Sequence, residues 1–183
     1  METARQILNA TATVFLVLGV VSALPHPVFG QAASPIPAIR KQYAAINKRA
    51  SRYRKVKKQL SGYSLEGGEL VAYFDRGTVV KIVARHFGEG GNTVEEYYYA
   101  NGQLIFVFEK VSHYSRPLSS KVVSTTENRY YFNEDDLVLW IDEKGKTVST
   151  NEDYRLKEKG LLEYSNQFLV AARSSKHIVE AND

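Results

Sequence analysis

The chain has 183 residues, no cysteine, 44% hydrophobic and 24% charged residues, and a formal net charge of +4. These values fit one ordinary folded domain behind an amino-terminal leader and exclude a disordered chain. They also exclude disulfides, thiol chemistry, thiolate zinc sites and a lipidated cysteine, so the core alone must hold the fold.

Residues 1–32 read as a secretory signal peptide. Arg5 supplies a weak positive start, offset by Glu2. Ala12–Leu24 is apolar apart from Thr13, Gly19 and Ser22, and is shorter than the roughly 20 residues a membrane span needs. Pro25 and Pro27 end any helix, and Gly30 and Ala32 suit cleavage. An uncleaved anchor reaching back to Ile7 is the alternative. The expected mature chain, 33–183, is a single periplasmic or extracellular domain with no transmembrane segment.

The spacing of Ile36, Ile39, Tyr43, Ile46, Ala50 and Tyr53, in steps of three and four, predicts an amphipathic helix over 35–60. Its remaining surface carries nine bases and no acid between Arg40 and Leu60, while the rest of the mature chain has 14 bases and 19 acids. A solvated face beside an acidic remainder explains that imbalance. So does an anion-binding surface built from Arg49, Arg52, Lys55, Lys57 and Lys58.

From 69 to 148 the pattern changes to short β-rich runs joined by turn residues, which predicts a meander of six or seven antiparallel strands. Three stretches share one pattern: Tyr73-Phe74-Asp75-Arg76-Gly77-Thr78-Val79, Tyr98-Tyr99-Ala100-Asn101-Gly102-Gln103-Leu104 and Tyr131-Phe132-Asn133-Glu134-Asp135-Asp136-Leu137. In each, two aromatics end a strand, polar turn residues follow, and an aliphatic residue restarts the chain. A second helix is expected over 151–173, followed by a frayed polar tail. The fold class is therefore α+β, an antiparallel meander flanked by an N-terminal and a C-terminal helix.

Strict alternation along the strands puts Leu104, Phe106 and Phe108 on one face with Ile105 and Val107 opposite. Likewise Leu137, Leu139 and Ile141 oppose Val138 and Trp140, and Val80, Ile82 and Ala84 form a core face. Strands apolar on both sides need both faces covered, and the two helices are the available covers. Tyr97 and Tyr99 oppose Tyr98, and Tyr131 opposes Tyr130. Tyr97, Tyr99 and Tyr131 are thus candidates for an aromatic contact surface, although β propensity alone would also place tyrosines there.

Catalytic signatures are absent: there is no nucleophile elbow, no His-Glu-x-x-His and no phosphate loop. Gly88-Glu89-Gly90-Gly91 joins two expected strands, whereas a phosphate cradle needs a following helix. His86 and His113 lie near strand ends and could share a metal or a proton if those ends met. Glu134, Asp135, Asp136, Asp142 and Glu143 cluster at the ends of one hairpin in no calcium-loop spacing. Ser119 and Ser120 have no neighbouring base. No catalytic residue, metal or cofactor is assigned.

The stretch Tyr98–Leu104 resembles the hairpin unit of the bacterial MORN-variant repeat proteins. The other two stretches depart from it, with Arg76 and Glu134 in place of the turn asparagine and Asp135 in place of the glycine. That resemblance implies stacked hairpins and protein or membrane interaction, with no catalytic residues to carry over. The leading expectation is an exported, non-enzymatic binding or inhibitor-type protein of a bacterial envelope. Its partner would be an envelope protein, a polysaccharide or an anionic lipid surface; nucleic acid fits that compartment poorly. A small hydrolase whose residues converge only in the fold, and a structural envelope component, are the alternatives.

Overall fold

The computed structural model describes residues 33–181 except 118 and 120; the leader lies outside the described residues. Helix α1 (Ile36–Lys48) and a short 3-10 turn (Ala50–Arg52) precede seven strands: β1 (Arg54–Ser61), β2 (Gly68–Asp75), β3 (Thr78–Gly88), β4 (Gly91–Ala100), β5 (Gln103–Tyr114), β6 (Val122–Asn133) and β7 (Asp136–Ile141). Helix α2 (Glu152–Arg173) and a three-residue strand β8 (Ile178–Glu180) follow. The class is α+β. The eight strands form one sheet in the order β7-β6-β5-β4-β3-β2-β1-β8. Strands β1 to β7 run antiparallel between sequence neighbours, and β8 pairs parallel with β1.

The sheet has eight strands rather than six or seven; β2 to β7 match the expected meander, and β1 and β8 come from segments read otherwise. The helix expected over 35–60 stops at Lys48, and its last stretch, from Arg54, is β1. Tyr53 is already extended, with φ −76° and ψ 142°. Beyond it Val56, Lys58 and Leu60 alternate onto one face, and all of β1 pairs with β2 except its last residue. The basic run hid this period-two signal, and pairing with β2 overrides the helical spacing. The tail expected to fray contributes β8. Thr147 makes only an isolated bridge to Ile141.

The three aromatic stretches become three equivalent hairpins. Arg76 and Gly77, Asn101 and Gly102, and Glu134 and Asp135 all have positive φ, between 49° and 88°. Two successive positive φ values mark the tight hairpin turn whose twist matches the flanking strands. Beside each turn lies a register irregularity, at Tyr73/Phe74, Tyr98/Tyr99 and Tyr131/Phe132. Phe74 pairs with Val79 but Tyr73 with Lys81; Tyr99 pairs with Leu104 but Tyr98 with Phe106; Phe132 pairs with Leu137 but Tyr131 with Leu139. Val80, Ile105 and Val138 are the extra residues of three β-bulges.

The bulges correct the alternation read from the sequence. Leu104 and Leu137 join the core under α2, whereas Phe106, Phe108, Leu139 and Ile141 pack toward α1. Val80 packs on the α1 side, apart from Ile82 and Ala84. One extra residue flips the parity of everything after it.

Both sheet faces are covered. Under α2, Tyr154, Leu161, Phe168 and Ala172 meet Leu70, Ile82, Tyr97, Val107, Tyr130 and Phe132. Phe168 is fully buried, and truncating such a side chain to alanine costs about 3–5 kcal/mol. Under α1, Ile39 and Ile46 meet Tyr98, Phe106 and Tyr131. Helix α2 starts cleanly because the Asn151 side chain accepts the Tyr154 backbone N–H at 2.8 Å, with Glu152 and Asp153 in the first turn. Gly160 does not interrupt it.

Candidate functional site

On β4 to β6 the α2 face of the sheet is apolar near the hairpin turns and polar farther along, whereas on β1 to β3 Leu60, Leu70 and Ala84 keep it apolar. On β4 the side chains facing α2 are Tyr99, Tyr97 and Glu95, and on β5 they include Leu104, Val107 and Glu109. Glu95 and Glu109 are register partners, 7% and 8% exposed. Directly opposed side chains of an antiparallel pair lie about 5 Å apart at Cβ. Two acids so placed in a core layer need donors, because an uncompensated buried charge is costly.

Each acid has its own donors. Glu109 Oε2 accepts Asn128 Nδ2 and Tyr130 OH, both at 2.9 Å, and Oε1 accepts Lys157 Nζ at 3.1 Å. Glu95 Oε2 accepts Tyr97 OH at 2.9 Å and lies 3.4 Å from His86 Nε2. Glu95 Oε1 takes no hydrogen bond among the described residues. Trp140 Nε1 donates to Asn128 Oδ1 at 3.2 Å, which locks the amide that serves Glu109. His86 packs beside the rings of Tyr63 and Phe168, which also meet each other, and its buried Nδ1 has no partner among the described residues.

Burial, with the adjacent carboxylates, raises the hydroxyl pKa of Tyr97 and Tyr130 well above the ordinary tyrosine value. Both hydroxyls therefore stay protonated as donors to the acids.

A recess of about 380 Å³ opens between Glu95 of this pair and α2. It is lined by Glu95 and Trp140 from the sheet and by Asp153, Leu156, Lys157, Gly160, Leu161 and Tyr164 from the helix. Gly160 presents no side chain to the recess. The walls thus carry carboxylate acceptors, one ammonium donor and two aromatic rings.

The residues singled out from the sequence fall elsewhere. The bases from 40 to 58 do not share one helix. Arg49 caps α1, Arg52 ends the 3-10 turn, and Lys55, Lys57 and Lys58 are on β1. Lys55 and Lys57 are exposed with Arg49 and Arg52. Lys58 is 6% exposed, and its Nζ donates to the Ser174 and Lys176 carbonyls at the end of α2. It is a helix C-terminal cap, and leaves the anion-binding group. Tyr97 and Tyr99 are buried under α2, with Tyr99 OH 3.1 Å from Ser165 Oγ. Tyr131 is buried toward α1. These tyrosines are core residues rather than an exposed stripe.

His86 on β3 aligns with Thr93 of β4 and His113 on β5 with Gly91, so two strand spacings and a two-residue offset hold them roughly 12 Å apart. No group of three or more His, Asp or Glu side chains among the described residues could hold a metal. Glu134 and Asp135 are the turn of the third hairpin, and Asp142 Oδ1 accepts the backbone N–H of Lys144 and Lys146. Ser119 Oγ meets Ser115 Oγ and the Lys121 backbone N–H; Ser120 is outside the described residues. The glycine-rich stretch is the β3–β4 turn. A Cβ at Gly91 would lie 2.0 Å from the Ser112 carbonyl oxygen, so close strand approach demands glycine there.

The acid pair was missed although a signal existed. Glu95 shares the parity of Tyr97 and Tyr99, and Glu109 that of Val107 and Val111. A carboxylate at a core-parity position between apolar neighbours calls for a buried partner. No helix among the described residues is long and apolar enough to cross a membrane. No protein-family model, curated protein or solved structure matches the chain.

Proposed function

We propose that the protein is an exported, non-enzymatic binding protein of the bacterial envelope, and that it takes a hydroxyl-rich ligand, a saccharide unit of an envelope polysaccharide, in the recess beneath α2. The observation that carries this reading is that Glu95, Asp153 and Lys157 line one recess together with the rings of Trp140 and Tyr164. Hydroxyl groups both donate and accept, which suits a wall holding carboxylate acceptors beside an ammonium donor. The apolar face of a sugar ring suits an aromatic wall, and a few placed polar groups in a concave site set orientation.

The same geometry argues against the hydrolase alternative. A retaining glycosidase needs two carboxyl groups that can both reach the scissile bond. Glu109, however, has both oxygens engaged by Asn128, Tyr130 and Lys157, leaving none for a reacting atom. The test is titration with neutral oligosaccharides followed through Trp140, the chain's single tryptophan, in the native protein and in Glu95→Gln and Tyr164→Ala.

A further inference from the structure

The opposite face of the sheet holds a second recess, of about 400 Å³, between α1 and strands β5 and β6. Ile39, Arg40 and Tyr43 of α1 form one side; Phe106, Phe108, Arg129 and Tyr131 form the other. Protein interiors are close-packed, with few voids larger than a water molecule. A hollow of this size framed by four aromatic rings is a binding-site geometry rather than ordinary packing.

The rings are held by one another. Tyr43 meets Phe106 edge-on at 5.1 Å between centroids, and Phe106 meets Tyr131 at 4.9 Å. Two guanidinium groups lie over these rings: Arg40 Cζ is 5.7 Å from the Tyr131 centroid, and Arg129 Cζ is 5.5 Å from that of Phe108. Arg129 Nη2 donates to Glu127 Oε2 at 2.8 Å. Arg40 has no carboxylate partner among the described residues. The nearby Glu96 is paired with Lys81 at 2.8 Å. The arginines and Glu127 together leave one positive charge at the mouth, the complement of a monoanion.

We propose that this recess binds a planar aromatic monocarboxylate, with its ring against Phe106, Phe108 and Tyr131 and its carboxylate on the guanidinium groups of Arg40 and Arg129. The parts divide the work. Aromatic walls favour offset or edge contacts with a flat ring. Arginine presents a planar fork that matches a carboxylate with two parallel hydrogen bonds. A cationic ligand would meet two guanidinium groups and gain nothing. The site is on the other side of the sheet from the α2 recess, so it stands or falls independently of saccharide binding.

The test uses 2-naphthoate as probe, with 2-naphthalenemethanol and 2-naphthylmethylamine as neutral and cationic controls, measured by titration calorimetry. A charge-assisted hydrogen bond is worth enough to make naphthoate bind about tenfold tighter than the alcohol. The amine is expected not to bind. Both arginines are surface side chains, so Arg40→Gln and Arg129→Gln should fold normally and each weaken naphthoate at least about fivefold. Arg116→Gln, an exposed residue outside the recess, should leave the affinity unchanged. Equal affinity for naphthoate and the alcohol, naphthoate binding that survives both recess substitutions, or no naphthoate binding at millimolar concentration would each overturn the proposal.

Discussion

Glu109 lies directly across the β4–β5 ladder from Glu95, yet the two carboxylates are held differently. Glu109 is closed off by three donors, whereas Glu95 lines the recess and its Oε1 takes no hydrogen bond among the described residues. That asymmetry separates structure from function. Glu109→Gln should destabilise the protein by about 2 kcal/mol, since it breaks a largely buried ion pair and turns an acceptor into a donor facing donors. Lys157 is 35% exposed, which keeps the cost below that of a fully buried pair. Glu95→Gln should cost less than about 1 kcal/mol, because the amide oxygen still accepts Tyr97. Urea denaturation of both variants makes the comparison; a larger loss for Glu95→Gln would invert the assignment.

The buried tyrosines set an alkaline limit. Tyr97, Tyr98, Tyr99 and Tyr130 all have a folded-state pKa raised above 10.0, in each case first by burial. Adjacent carboxylates add to the shift at Tyr97, Tyr98 and Tyr130. A raised pKa means that the folded state holds the proton more tightly than the unfolded chain. The resulting stability is fully present below about pH 10 and is lost as pH rises beyond it. Absorbance at 295 nm should show these four hydroxyls still protonated in the native protein at pH 11. They should ionise only together with loss of tertiary structure. Their titration near pH 10 in folded protein would contradict the burial.

Lys58 and Lys57 are sequence neighbours with opposite fates. Lys58→Met should destabilise by about 2 kcal/mol, because it removes charged donors from the carbonyls that end α2. Lys57→Met, at an exposed position, should stay within about 0.5 kcal/mol of the parent. Thermal unfolding midpoints of the two variants decide it; equal midpoints would refute the capping role.

Local chemistry was legible in the sequence and parity was not. Gly77, Asn101-Gly102 and Asp135 announce hairpins because they tolerate positive φ, whereas Arg76 and Glu134 are legible as turn residues only through the shared aromatic-turn-aliphatic pattern. The single extra residues Val80, Ile105 and Val138 carry no composition signal of their own. Reading through them put Leu104 with Phe106 and Leu137 with Leu139, pairs that the bulges divide between opposite faces. The basic segment failed for a related reason. Its helical spacing is real up to Lys48, but the β1 pattern of Val56, Lys58 and Leu60 places a lysine at an inward position, where only the end of α2 explains it. The recess beneath α2 is assembled from β4, β7 and a helix that follows them in the chain, so no local pattern could display it.

Titrating the protein with chitotetraose and comparable neutral oligosaccharides while following Trp140 fluorescence is the most direct test of the proposed binding site. Saturable quenching or a spectral shift is expected, with affinity reduced about tenfold in Tyr164→Ala and in Glu95→Gln, both folded by circular dichroism. A flat fluorescence response across the oligosaccharides, or binding that both substitutions leave intact, would contradict a saccharide site beneath α2.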